Sequence, residues 1–306
     1  MNQTPPSVFT LADLQRWPEV SRDFSHPARL AVIGDPVAHS RSPQMHNPAL
    51  RASGINGEYV RVHLRPAELA EGIAAMKAAG FLGFNVTIPH KSAVFDLVDE
   101  RSETARRVGA VNTVAFREDR LCAHNTDAPG LQRAVREAFS ADLKDLRILI
   151  VGAGGGAGRA AAVQCALDGC ERLILVNRTV DKARELAEEL GEVLPGAGRI
   201  EAVPWEDDAM ERELDRIDLI INATSLGMKP GDAAVVPGPL LQAQHLVYDM
   251  VYSPPRTRLM SEAGDVGARA ANGLGMLLWQ GALAFEFWFE RPAPVEAMRE
   301  GLMGAL

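Results

Sequence analysis

Residues 147–178, RILIVGAGGGAGRAAAVQCALDGCERLILVNR, limit what this chain can fold into more than any other stretch. Arg147–Val151 is a short apolar run, as expected of a buried parallel strand. Gly152–Gly158 follows at once, then alanines and leucines at helical spacing through Leu167, then a second apolar strand, Leu173–Val176. Strand, glycine turn, helix and strand make a βαβ unit with the dinucleotide fingerprint. The glycines fall as Gly152 and Gly154 followed by Ala157, the G-x-G-x-x-A variant. Gly152 permits the tight turn, Gly154 lets the backbone approach a pyrophosphate, and Ala157 is expected to keep helix and sheet close. The start of the helix supplies free N–H groups to the anion. A purely structural glycine turn and a different phosphate ligand remain the competing readings of these residues.

An NAD or FAD site needs an acid at the end of the second strand, to accept from the ribose 2′-OH. The strand ends instead in Asn177-Arg178-Thr179, with Lys182 one helical turn on. Arginine is a planar fork suited to phosphate, so the group favours a 2′-phosphate and hence NADP(H). The alternative is that Arg178 is a solvated cation after a strand.

The rest of the chain alternates strands and helices, and its 306 residues allow two domains. Expected strands are Arg29–Ile33, Tyr59–Leu64, Leu82–Ile88, Val111–Phe116 and Arg120–Ala123 in the first part. In the second they are Arg147–Val151, Leu173–Val176, Glu201–Val203, Ile217–Asn222 and Leu246–Met250. Helices fall between them, with an apolar one over 272–289 and a last one from Pro294. The expected architecture is two-domain α/β: an N-terminal α/β substrate domain (29–126) and a Rossmann-like NADP-binding domain (127–264), with C-terminal helices (265–306). A cleft between domains is the default substrate site in such an arrangement. Residues 1–28, punctuated by Pro5, Pro6, Pro18 and Pro27, read as an extension, with the compact fold beginning at Arg29.

Net charge of −8 argues against a general nucleic-acid binder. Cys122, Cys165 and Cys170 form neither a disulfide framework nor a metal spacing, as fits a reducing cytoplasm. The histidines at 39, 46, 90 and 124 do not recur at a ligand spacing, so no metal is expected. The N-terminus lacks the continuous apolar core of a secretory signal. Leu274–Phe289 is interrupted by Gln280 and Glu286, which makes it a buried or amphipathic helix rather than a membrane span.

A nicotinamide enzyme needs a protein group to handle one proton. Lys91 follows the apolar strand 82–88, where Asn85 and Thr87 are also polar. Asp127 could hold its ammonium by a charge-assisted bond. Ser40 and Ser42 lie on a loop outside the carboxyl end of a strand, where α/β sheets bind ligands. Each has a plain alternative: a surface lysine, a helix-capping aspartate, and serines serving caps and turns.

Segments in order along the chain are GDPVAHSRSPQMHN (34–47), GFNVTIPHK (83–91), GAVNT (109–113), NTDAPG (125–130) and GAGGGAG (152–158). NRT (177–179), NATSLGM (222–228), YSPPRT (252–257) and GMLLWQGALAF (275–285) follow. Together they resemble the shikimate dehydrogenase family from Ile33 to Phe285. The resemblance implies NADPH-dependent reduction of 3-dehydroshikimate to shikimate, on the route to aromatic amino acids, with Lys91 as catalytic lysine and Asp127 as its partner. It implies substrate contacts from Ser40, Ser42, Thr87, Asn112, Gln280 and Tyr252, with Asn85 in support. Cofactor contacts would come from Gly152, Ala153, Gly154, Gly155, Gly156 and Ala157, then Asn177, Arg178, Thr179 and Lys182. Thr224, Met250, Gly273 and Met276 complete that set, the last three near the nicotinamide. It also implies that the final helices return to the substrate domain. A monomer or homodimer acting on a small molecule, without nucleic acid or membrane, is expected. Three features depart from the family pattern: the leader, Ala128 after Asp127, and Lys182 where some members have arginine. The competing functions are a quinate/shikimate dehydrogenase of broader specificity and a non-catalytic NADP-binding regulatory protein.

Overall fold

The computed structural model describes residues 8–193 and 199–304. They form two compact units, one reaching to Thr126 and resuming at Gln280, the other spanning Asp127–Trp279.

The first unit begins with β1 (Phe9–Thr10), α1 (Leu11–Gln15), α2 (Trp17–Val20), β2 (Ala28–Gly34), α3 (Ser42–Ala52), β3 (Glu58–His63) and α4 (Leu69–Ala78). It continues with β4 (Gly83–Val86), α5 (Lys91–Leu97), β5 (Glu100–Arg101), α6 (Glu103–Val108), β6 (Thr113–Arg117) and β7 (Arg120–His124). Among the described residues seven strands lie in the order β1-β3-β2-β4-β6-β7-β5. The β1–β3, β3–β2 and β2–β4 pairs are parallel, whereas β6 runs antiparallel to both β4 and β7. Ile33, Val62, Phe84 and Val114 fill the core. The helical stretch between β4 and β6 is in two pieces, α5 and α6, separated by β5.

The N-terminus departs from expectation. Phe9, Leu14 and Trp17 belong to the hydrophobic core rather than to an appended leader. Phe9 and Trp17 meet edge to face at 5.3 Å, and Trp17 lies 5.3 Å from Phe81. β1 pairs with β3 in register Phe9↔Val62. The compact fold therefore starts well before Arg29. Polar residues and prolines separate these apolar side chains, so no continuous run announces them.

The second unit holds α7 (Asp127–Phe139), β8 (Arg147–Val151), α8 (Gly156–Leu167), β9 (Arg172–Asn177), α9 (Val180–Val193), β10 (Arg199–Pro204) and α10 (Asp207–Leu214). Then come β11 (Leu219–Asn222), β12 (Leu246–Asp249), α11 (Arg258–Asp265), β13 (Arg269–Asn272) and α12 (Leu274–Phe289). The strand order is β10-β9-β8-β11-β12-β13, every pair parallel. Renumbered within the unit this is 3-2-1-4-5-6, the doubly wound dinucleotide-binding order. β8, β9 and β11 are nearly continuous runs of buried Ile, Leu and Val, as strands covered on both faces must be.

The expected boundary at 264/265 is displaced. β13 pairs with β12, so residues 265–279 stay with the second unit, and the division falls inside α12. The rest of α12 and the last helix, α13 (Val295–Met303), belong to the first unit. There the Trp288 indole donates to the Val114 carbonyl at 2.9 Å, and Gly301 brings α13 against the Gln44 backbone of α3. Among the described residues no helix is long and apolar enough to cross a membrane.

Candidate active site

In the first unit a chain of hydrogen bonds runs inward from the loop between β2 and α3. The Ser40 hydroxyl lies 3.1 Å from that of Ser42, and Ser42 bonds the Tyr59 phenol. Tyr59 donates to Asn85 Oδ1 at 2.7 Å. Asn85 Nδ2 donates to the Asn112 carbonyl and to Thr113 Oγ1, both at 3.0 Å. The Asn112 side chain accepts from the Thr126 N–H at 2.8 Å and donates to Thr126 Oγ1 at 2.9 Å and Gln280 Oε1 at 3.5 Å. Tyr59, Asn85, Asn112, Thr113, Thr126 and Gln280 are all buried. Burial pushes the Tyr59 phenol well above its ordinary pKa, so it stays a donor.

The local sequence explains the placement. Successive side chains on a strand alternate faces, so Tyr59 and Asn85, on β3 and β4, can point away from the apolar core while Val60 and Phe84 enter it. Ser42 begins α3 with Pro43 at the next position, where a missing N–H costs nothing. Behind the chain, the His46 ring stacks on Tyr59 at 4.4 Å with an 11° interplanar angle. Both its nitrogens are buried without a hydrogen-bond partner, and burial lowers its pKa to about 3.

Lys91 opens α5, directly after the segment that leaves β4. That segment is pinned: Thr87 N–H donates to the Ile33 carbonyl at 2.9 Å, and His90 N–H to the Thr87 carbonyl at 3.0 Å. The buried His90 ring bonds the Leu64 carbonyl at 2.7 Å. The Lys91 carbonyl accepts from Val111 N–H at 3.1 Å. Lys91 itself is half-buried.

In the second unit Gly152 takes φ +91° at the β8–α8 turn, a conformation that favours glycine. Gly154, Gly155 and Gly156 are exposed, and no side chain caps the start of α8. Ala153 N–H, like that of Gly152, donates to the Val176 carbonyl, tying the turn to β9. The close helix–sheet contact is made at Gly158, not at Ala157 as the fingerprint spacing indicated. A Cβ on Gly158 would stand 2.2 Å from the Gly152 carbonyl oxygen, whereas Ala157 is half-exposed. The glycine run offers several registers, and sequence spacing cannot choose among them.

Asn177, at the end of β9, accepts from Gly154 N–H at 3.3 Å and donates to the Thr179 carbonyl at 2.9 Å. It joins the glycine turn to the Arg178–Thr179 segment. Arg178 and Thr179 are exposed. Among the described residues the Arg178 guanidinium makes no ion pair, and the side chain beside it at 177 is an amide rather than an acid. The uncapped N–H groups, the open glycine face and this cation suit a dinucleotide carrying a 2′-phosphate.

Thr224 packs on the glycine turn and bonds the Asn222 side chain at 2.7 Å. Asn222 in turn donates to Asp249 at 2.8 Å. Asp249 also accepts from Thr257 Oγ1 at 2.6 Å and Val251 N–H at 3.0 Å, and burial raises its pKa. This carboxylate ties the turn after β11 to the loop after β12, which carries Met250 and Tyr252. Gly273 packs on the Met250 backbone, and Met276 N–H donates to the Tyr248 hydroxyl at 2.9 Å.

The structure thus joins Ser40, Ser42, Asn85, Asn112 and Gln280 in one network. Thr87 and Lys91 belong to the same unit, whereas Asp127, buried at the start of α7, and Tyr252 belong to the other. Sequence reasoning missed Tyr59, Thr113, Thr126, Asn222 and Thr257. Tyr59 looked like an ordinary strand aromatic, while Thr113 and Thr126 adjoin residues that were singled out.

Strand order, glycine turn and the cation after β9 define an α/β protein of the dinucleotide-binding class. Comparison with known proteins narrows this. Residues 32–114 match the shikimate dehydrogenase substrate binding domain, 133–228 the shikimate/quinate 5-dehydrogenase family, and 273–303 the shikimate 5′-dehydrogenase C-terminal domain. Shikimate dehydrogenase (NADP(+)) of Methanopyrus kandleri is 43% identical over 276 residues, 90% of this chain and 94% of that protein. A crystal structure of a shikimate dehydrogenase in complex with NADP+ superposes with TM-score 0.84 at 38% identity, over 91% of this chain and 95% of the other. The Thermus thermophilus enzyme, in complex with NADP(H) and shikimate, gives 0.81 at 38% identity, over 91% and 100%. The chain belongs to the shikimate dehydrogenase family.

Proposed function

We propose that this protein is a cytoplasmic, NADP-dependent shikimate dehydrogenase that reversibly reduces 3-dehydroshikimate, with Lys91 as the proton donor. The observation that carries the reading is the chain of hydrogen bonds from Ser40 to Gln280, buried from Ser42 inward. It presents hydroxyls and amides, the groups that recognise a polyhydroxylated ring, in the same unit as one half-buried lysine.

The cofactor, when bound, supplies the hydride. The protein's own work is to bind, orient and move one proton. Gly152–Ala157, with Thr224 packed on that turn and Arg178, Thr179 and Lys182, would hold its phosphates, and Met250, Gly273 and Met276 would flank the reactive ring. Ser40 and Ser42, two hydroxyls 3.1 Å apart, can each donate to one oxygen of the substrate carboxylate. Thr87, Asn112, Gln280 and Tyr252 are assigned to the ring hydroxyls, with Asn85 in support through its bonds to Asn112 and Thr113, so that little entropy is spent on binding. Asp127 accepts a substrate hydroxyl hydrogen, its charge favoured by the N–H groups of the first turn of α7. In reduction the Lys91 ammonium gives its proton to the carbonyl oxygen as that oxygen becomes a hydroxyl; in oxidation the amine takes it back. The protein acts as a monomer or homodimer.

The test is steady-state turnover of shikimate and quinate, each with NADP and with NAD. Shikimate with NADP should give the highest kcat/KM. Quinate adds one hydroxyl and a saturated ring carbon, and exclusion on that scale is worth about 10²-fold. Equal efficiency on both acids would make the protein a broader quinate/shikimate enzyme. No turnover of either would leave a binding protein.

A further inference from the structure

Arg61 occupies the middle of β3, two residues after Tyr59 and so on the same face of the strand. It is half-buried. An arginine in such a place commonly lays its stem along apolar surface and lifts its charge into water. Here the head turns onto the loop that carries the two serines. Arg61 Nε donates to the Ser40 carbonyl at 2.8 Å, and a terminal nitrogen donates to Gln44 Oε1 in the first turn of α3 at 3.0 Å.

Both acceptors are neutral, so these bonds orient the guanidinium without cancelling its charge. They also fix the two ends of the Ser40–Gln44 segment, and the serine hydroxyls lie within it. A serine's carbonyl and hydroxyl are separated by only a few bonds. The cation therefore sits within roughly 7 Å of the Ser40 hydroxyl. The guanidinium stays charged at any working pH.

We propose that Arg61 is a positioning residue that makes the pocket select a carboxylate-bearing substrate: it holds the Ser40–Ser42 hydroxyl pair and sets a fixed positive charge behind it. The inference rests on the shikimate reading above, in which those hydroxyls receive the acid group. A neutral ring of the same shape would keep the hydroxyl contacts and lose this attraction. At that separation in a partly buried site, a unit charge is worth roughly tenfold in affinity.

The experiment compares shikimate with its uncharged methyl ester at saturating NADP, in the wild type and in Arg61→Met and Arg61→Lys. Wild type should favour the acid over the ester by roughly tenfold or more in kcat/KM, chiefly through KM. Arg61→Met should lose most of that preference. Its kcat/KM for shikimate should fall roughly tenfold further than that for the ester, chiefly through KM, because the ester loses only the hold on the serine pair whereas the acid loses the charge as well. Arg61→Lys should recover part of the preference, because the charge returns without the fork. An equal loss on acid and ester, or an unchanged shikimate KM, overturns the assignment. If Arg61→Met does not fold, the wild type alone decides: an enzyme that takes the ester as readily as the acid has no charge selection to assign. A wild type that oxidises no shikimate defeats the reading beneath, whereas an active wild type with an indifferent Arg61→Met defeats the role of Arg61 alone.

Discussion

In the first unit the polar groups proposed above to meet the substrate already bond one another, in a buried chain from Ser42 through Tyr59, Asn85 and Asn112 to Gln280. In the second unit the corresponding surface is open. Its donors are backbone N–H groups at an uncapped helix start, and its cation, Arg178, is exposed. The difference concerns what each region must recognise. A ring bearing several hydroxyls is told from its relatives by fixed side-chain partners, and a network satisfied before binding keeps them fixed. A pyrophosphate is recognised by charge and by a gap where no Cβ stands, and backbone geometry suffices for both. Stability and ligand recognition should therefore be entangled in the first unit and separable in the second.

The most severe test of that contrast is Lys91, a half-buried cation of the first unit. Lys91→Ala should lower turnover by roughly 10²–10⁴-fold. The shikimate KM should move far less, because the serines and amides still hold the ring. Near-normal turnover with very weak binding would instead make Lys91 a binding cation. Next comes Asn112→Ala. It strands the Thr126 N–H in a buried site, while the Thr126 hydroxyl keeps Thr113 as a partner, so it should cost about 1–3 kcal/mol in denaturant unfolding and raise the shikimate KM at the same time. A stability loss without a KM change would uncouple the network from binding.

Arg178→Ala is the counterpart. It should raise the NADP KM roughly 10- to 100-fold and leave unfolding within about 0.5 kcal/mol of wild type. Full retention of the preference for NADP over NAD would remove Arg178 from the phosphate site. A further test concerns pH. His46 titrates near its ordinary value of 6.5 when unfolded but at about 3 when folded. Between those limits the unfolded chain binds a proton that the folded chain refuses, so stability falls as pH drops through that window. His46→Phe keeps an aromatic ring against Tyr59 and should flatten the thermal midpoint between pH 6.5 and 3. A slope unchanged from wild type would mean that His46 opens to water before it protonates.

The glycine turn, the parallel strands and the cation after β9 were legible in the sequence because each is a local pattern with one physical reason. Lys91 and the serines stood out as polar residues beside apolar strands. Tyr59 did not, since a tyrosine in a strand is unremarkable until its hydroxyl is seen to reach Asn85. Nor did the role of Gly158, because several glycines in a row satisfy more than one spacing and only the helix position selects among them. Phe9 and Trp17 were hidden for a different reason. Their contacts are with Val62 and Phe81, far along the chain, and no periodicity of their own points there.

The two residues of β1 also settle what happens at one margin of the first sheet. A strand at a margin offers unpaired N–H and C=O groups to any other extended chain, which makes it a template for self-association. β1 occupies that position beside the carboxyl end of β3, at Val62 and His63. The second sheet treats one of its margins differently: β10 carries Glu201, paired with both Arg172 and Arg199, so its outer flank is marked by charge. A chain starting at Pro27 would lose the first of these protections, along with the core side chains Phe9, Leu14 and Trp17, and keep the second, and its weakness would lie in unfolding and clumping rather than in catalysis.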